Sequence, residues 1–94
     1  MPGSTTLMNR YYIVYVLESL KDHKRYIGFT TNLAKRIKDH NNGRSFSTNP
    51  RRPFKLIYAE LCTNLEDAKR REGYLKTTGG RRFLAKRLKN YYLN

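Results

Sequence analysis

Five side chains in this sequence, Tyr15, Tyr26, Arg36, His40 and Glu72, are of the types needed to cut a phosphodiester. Phenolic hydroxyls can contact phosphate or an attacking water. A guanidinium offers a rigid fork of donors to phosphate oxygens. An imidazole can move a proton near neutral pH, and a carboxylate can hold a hard divalent cation.

Glu72 is the sharpest of the five. It falls on a helix face otherwise made of Leu65, Ala68 and Leu75. A carboxylate taken out of water without a partner costs several kcal/mol. Two partners suit it: a bound divalent cation, or an arginine such as Arg70 or Arg71. Arg36 and His40 are one helical turn apart, so both reach the same side of a helix. His40 also fits a second role, a structural histidine near a helix C-terminus, where the charged form is favoured. Tyr15 and Tyr26 compete with six other tyrosines. Gly28 lies two residues after Tyr26 on the same strand face and leaves room for a close approach. Ser45, Ser47 and Cys62 lack any triad context, and no G-x-x-x-x-G-K-[ST] loop is present.

The elements that carry these residues follow from patterning. Residues 11–18 and 24–30 are rich in β-branched and aromatic types, joined by the polar turn Leu20-Lys21-Asp22-His23, which predicts a hairpin. The first strand is apolar on both faces and should be covered on both. Asn32 is the expected N-cap of a helix over 33–41, ended by Gly43. A loop over 44–53 leads to a third strand from Phe54 to Cys62. Asn64 caps a second helix, with Asp67 at its third position in the manner of a capping box. Gly79-Gly80 should break that helix, and residues 81–92 form the last one. The predicted class is α/β of the α+β type, in the order β-β-α-β-α-α, as a three-stranded antiparallel sheet flanked by helices. A flexible tail is expected over 1–9 and a single domain over 10–94.

At 94 residues the chain supports one thin core. The single cysteine rules out an intrachain disulfide and a cysteine-rich zinc site. A net charge of +13 and a pI near 10.2 favour nucleic acid as partner over an anionic membrane. No apolar run reaches the ~20 residues of a membrane helix, and no secretory signal pattern opens the chain, so the cytoplasm is the expected compartment. Arg51, Arg52, Arg81, Arg82, Lys86, Arg87 and Lys89 are the expected phosphate contacts.

The ordered motifs resemble a known family. Val14-Tyr15-Val16 and Tyr26-Ile27-Gly28 resemble the two tripeptides that name the GIY-YIG nuclease superfamily. The pattern continues through Asn32-Leu33, Arg36, His40-Asn41, Ala68, Glu72 and Leu75-Lys76, covering residues 11–90 or so. The first tripeptide departs from the name in lacking its glycine and isoleucine, but keeps its tyrosine. The chain is most similar to the small stand-alone bacterial branch, related to the nuclease domain of the bacterial excinuclease. The resemblance implies an endonuclease that hydrolyses DNA with one divalent metal, in repair or recombination. It implies that Tyr15 orients or deprotonates the attacking water and that Tyr26 lies near the scissile phosphate. Gly28 closes the second motif, Arg36 stabilises phosphate charge, His40 assists proton transfer, and Glu72 holds Mg²⁺ or Mn²⁺. A protein partner could supply targeting. The competing reading is a nucleic-acid-binding module of the same fold with little catalysis, RNA included, in which Tyr11, Tyr91 or Tyr92 stack on bases.

Overall fold

The computed structural model describes residues 11–44 and 48–94. The tail expected over 1–9 lies outside them. Strand β1 (Tyr12–Ser19) is the centre of a three-stranded antiparallel sheet of order β2-β1-β3, with β2 at Arg25–Thr30 and β3 at Phe54–Cys62. Helix α1 (Leu33–Asn41) follows β2, and α2 (Leu65–Leu75), α3 (Thr78–Arg87) and α4 (Lys89–Leu93) follow β3.

The strand expected to be covered on both sides is so covered. Every residue from Ile13 to Ser19 is buried. Alternation divides its side chains between two cores. Val14 and Val16 pack with Ala68, Leu75, Leu84 and Leu88 of the α2–α3 layer. Tyr15 and Leu17 pack with Phe54, and with Tyr26, Leu33 and Ile37 on the α1 side. Each such apolar side chain contributes about 1.5–3 kcal/mol on full burial, so this one strand ties the layers together. The edge strand β3 is less covered, and Leu61 is exposed. Its register shifts opposite Val16 and Leu17, which face Tyr58 and Leu56. Ile57 is therefore the extra residue of a bulge, and both Ile57 and Tyr58 meet the α2–α3 core.

The expected caps are in place. Asn32 accepts from the Lys35 amide at 3.2 Å, and Gly43, at φ 77°, turns the chain out of α1. Asn64 accepts from the Asp67 amide at 3.1 Å, but the Asp67 carboxylate pairs with Arg70 rather than closing the expected capping box. Asn41 clamps the end of α1 to the start of β3, donating to the Phe54 carbonyl and accepting its amide.

Two expectations fail. Gly79-Gly80 do not break a helix; they form the first turn of α3, capped by Thr77, whose hydroxyl accepts the Gly80 amide at 3.1 Å. A Cβ on Gly80 would stand 2.2 Å from the Tyr74 carbonyl oxygen, so glycine there permits α3 to press against the end of α2. The last helix is also not continuous over 81–92. It divides at Leu88, and α4 folds back so that Tyr91 donates to the buried Glu18 carboxylate. That bond pushes the Tyr91 phenol up to about 12. No helix among the described residues is long and apolar enough to cross a membrane.

Candidate active site

Tyr15 stands opposite Gly28 in the β1–β2 ladder. The Tyr15 ring crosses β2 over that glycine: a Cβ on Gly28 would lie 2.6 Å from the Tyr15 hydroxyl oxygen and 2.8 Å from its Cζ. The hydroxyl is thereby delivered to α1, where Arg36 Nε donates to it at 3.2 Å and His40 Nε2 lies 3.1 Å away. Because Arg36 and His40 are one turn apart, they reach this oxygen together.

His40 is fully buried, with Nδ1 2.7 Å from the Thr48 hydroxyl. Its ring meets those of Tyr26, at 4.8 Å between centroids, and of Phe54. The proton positions follow from satisfying every donor. The Arg36 Nε–H can only donate. The buried Tyr15 O–H needs an acceptor, which His40 Nε2 supplies. His40 is then the neutral Nδ1–H tautomer donating to Thr48.

Electrostatics support that assignment. Burial lowers the His40 pKa, and the Arg36 charge lowers it further. The charged form favoured at an ordinary helix C-terminus is therefore disfavoured here. Burial raises the Tyr15 pKa above its usual value, opposed by the Arg36 hydrogen bond and charge, while Tyr26 and Glu72 add to the rise. Tyr15 is thus a neutral phenol at pH 7. Of these effects the Glu72 charge is the smallest.

The arginine alternative for Glu72 does not hold. Arg71 is turned to Glu60, with two hydrogen bonds of 2.9 and 3.0 Å, and Arg70 pairs with Asp67. Glu72 is half-buried and has Lys76 at 3.6 Å, longer than a charge-assisted hydrogen bond. No group of three or more His, Cys, Asp or Glu is poised for a metal among the described residues. A lone, loosely paired carboxylate still fits Mg²⁺, which usually takes one or two carboxylates and completes its shell with water and substrate phosphate.

Thr48 escaped sequence reasoning because it sits in a stretch legible only as loop, and a threonine there carries no signal. The expected basic contacts are dispersed. Arg51 is half-buried, 3.4 Å from Asp22; Arg52, Arg81, Arg82, Lys86, Arg87 and Lys89 are exposed. Tyr91 and Tyr92 are engaged at home: Lys55 lies over the Tyr91 ring, and Arg25 donates to the Tyr92 hydroxyl at 2.9 Å.

Residues 11–90 match the family model described as the GIY-YIG catalytic domain. The chain belongs to the GIY-YIG family. This family is a nuclease superfamily acting on DNA, and its members generally depend on divalent metal. Named relatives of this GIY-YIG domain are of the small stand-alone kind. It is 48% identical over 64 residues to a UPF0213 protein of Clostridium perfringens, spanning 67% of this chain and 68% of that one. It is 42% identical over 65 residues to one of Staphylococcus haemolyticus, spanning 68% and 78%. Among solved structures it resembles the solution structure of the UPF0213 protein BH0048 from Bacillus halodurans, with TM-score 0.52 and 33% identity over 81% of this chain and 83% of that one.

Two predictions arise from the packing. Gly28→Ala would force the buried Tyr15 ring aside, and overpacking of this kind costs about 1–3 kcal/mol. The variant should melt lower, and any cleavage that uses the Tyr15 hydroxyl should slow at least about tenfold. Wild-type melting and cleavage would show that the ring does not lie over this glycine. The second concerns acid. His40 binds a proton less readily folded than unfolded, so its contribution is complete above the ordinary value of about 6.5 and is lost as pH falls through the lower folded value. Melting temperature should therefore drop more steeply between neutral and mildly acid pH in the wild type than in His40→Gln; parallel slopes would contradict the buried neutral imidazole.

Proposed function

We propose that this chain is a divalent-metal-dependent endonuclease hydrolysing DNA phosphodiester bonds, working in the cytoplasm in repair or recombination. The observation that carries the reading is the Tyr15 hydroxyl held between Arg36 Nε and His40 Nε2. Hydrolysis needs a deprotonated water and charge neutralised on the phosphate. Arg36 neutralises the phosphate. Tyr26, half-exposed beside His40, lies against the phosphate. Tyr15 takes a proton from the attacking water while passing its own to His40 Nε2, so no free phenolate is needed. Thr48 keeps the imidazole in the tautomer that can accept it. Glu72 would hold Mg²⁺ or Mn²⁺, which when bound supplies Lewis-acid stabilisation of the phosphate and leaving oxygen.

The surface arginines and lysines Arg51, Arg52, Arg81, Arg82, Lys86, Arg87 and Lys89 hold the backbone without reading sequence. DNA affinity should fall about 10³-fold or more from 50 to 200 mM salt if six or more phosphates are contacted. Fluorescence anisotropy with a labelled duplex measures this directly, and affinity independent of salt would remove the basic surface from the reading. Cleavage of labelled DNA that requires Mg²⁺ or Mn²⁺ and stops with chelator tests the activity itself.

A further inference from the structure

Beside the candidate centre lies a cavity of about 480 Å³, lined by Lys24, Arg25, Tyr26, Ile27, Arg51, Leu75, Lys76 and Arg81. Five of these eight residues are cationic and none is acidic. Two features tie the cavity to the centre. Tyr26 belongs to both, its ring packing on His40 on the α1 side while the residue also borders the cavity. Lys76 lines the cavity and reaches back to Glu72 at 3.6 Å.

The cations differ in availability. Arg25 is held by Tyr92 and Arg51 by Asp22, so these two form a fixed positive wall. Lys24 and Arg81 have no carboxylate within ion-pairing distance among the described residues. Both are exposed, Lys24 with the Asp22 carboxylate acting on it at longer range. The volume falls in the range of small-molecule sites, well beyond what one phosphate fills. Ile27, on the β2 face turned to the α2–α3 layer, offers the apolar contact that suits a sugar or base.

We propose that this cavity is a subsite for the nucleotide next to the scissile phosphate, with Lys24, Lys76 and Arg81 on its outer phosphate and its nucleoside against Ile27. The inference rests on the nuclease reading for what lies next door, but the subsite itself is defined by binding. It adds Lys24, Arg25 and Lys76 to the basic residues visible as candidates in the sequence. It also gives Arg81 a different task from Arg82, Lys86, Arg87 and Lys89.

The test is titration of the full chain with thymidine 3′,5′-bisphosphate, followed by amide NMR shifts, with inorganic phosphate and thymidine as separate probes. Saturable shifts are expected at residues 24–27 and 75–81, with the bisphosphate binding at least about tenfold more tightly than either part, since a charge-assisted hydrogen bond contributes that much. The double variant Lys24→Gln/Arg81→Gln should weaken bisphosphate binding about tenfold or more by the same measure. Lys69→Gln/Arg70→Gln removes equal charge elsewhere and should leave it within about twofold, as screened surface charge does. Shifts spread evenly along residues 82–89, equal losses in the two double variants, or no saturation would overturn the subsite. Wild-type cleavage of DNA, measured alongside, separates the two claims. Cutting without pocket shifts removes only the subsite; pocket shifts without cutting remove only the nuclease.

Discussion

Arg36→Ala is expected to slow DNA cleavage by about 10²–10³-fold or more, the usual cost of removing a preorganised electrostatic donor, while leaving a folded protein. Arg36 is half-buried; it donates to the Tyr15 hydroxyl, which keeps His40 as a second partner, and also interacts with Tyr26. Loss of one such bond costs about 1–3 kcal/mol, a fraction of a typical domain's stability. The same substitution carries a readout that does not depend on turnover. The Arg36 charge depresses the His40 pKa and holds down that of Tyr15. Without it both should rise, and an NMR titration of the His40 ring would move towards the ordinary histidine value. Arg36→Lys should recover only part of the rate, because an ammonium restores charge without the planar fork. A variant Arg36→Ala that cuts at near wild-type rate would take the guanidinium out of the site.

Glu72→Ala is expected to lose at least as much activity, through a different step. In the proposed reaction metal and arginine would act on the same phosphate charge, and the Glu72 carboxylate would be needed to retain the metal. Its one ion-pair partner among the described residues, Lys76, is about half exposed, and pairs of this kind contribute about 0–1 kcal/mol. Melting should therefore barely change, and DNA binding should hold or tighten as one negative charge leaves a +13 chain. Calorimetric titration with Mn²⁺ in the presence of uncleavable DNA should show binding to the wild type and its loss in the variant. Equal metal binding by both would place the cation elsewhere.

How far the sequence revealed this differs by feature. The doubly covered β1 was legible because buried central strands need apolar residues on both faces. Asn32, Asn64 and Gly43 were legible because caps and left-handed turns demand particular side chains. Arg36 and His40 were readable as neighbours because helical spacing alone places them. The Tyr15–Gly28 pairing was not, since register depends on how the hairpin turn closes. Gly79-Gly80 misled, because a glycine chosen for close helix packing looks the same in sequence as one that ends a helix. The fate of Glu72 turned on Arg71, which preferred Glu60 across on β3, a contact that no helical period reports. The cavity draws on β2, α2, α3 and the turn before β3, and residues so far apart in sequence announce nothing together.

The central claim is tested most directly by cleavage of labelled branched, duplex and single-stranded DNA, with wild type and Glu72→Ala in Mg²⁺, Mn²⁺ or EDTA. Metal-dependent cutting by the wild type, lost in EDTA and reduced at least about 10²-fold in the variant, is the predicted result. Near-normal cutting by purified Glu72→Ala would contradict the assigned metal site. No cutting by either protein, with tight and salt-sensitive binding by both, would contradict the nuclease and leave a nucleic-acid-binding module on this fold.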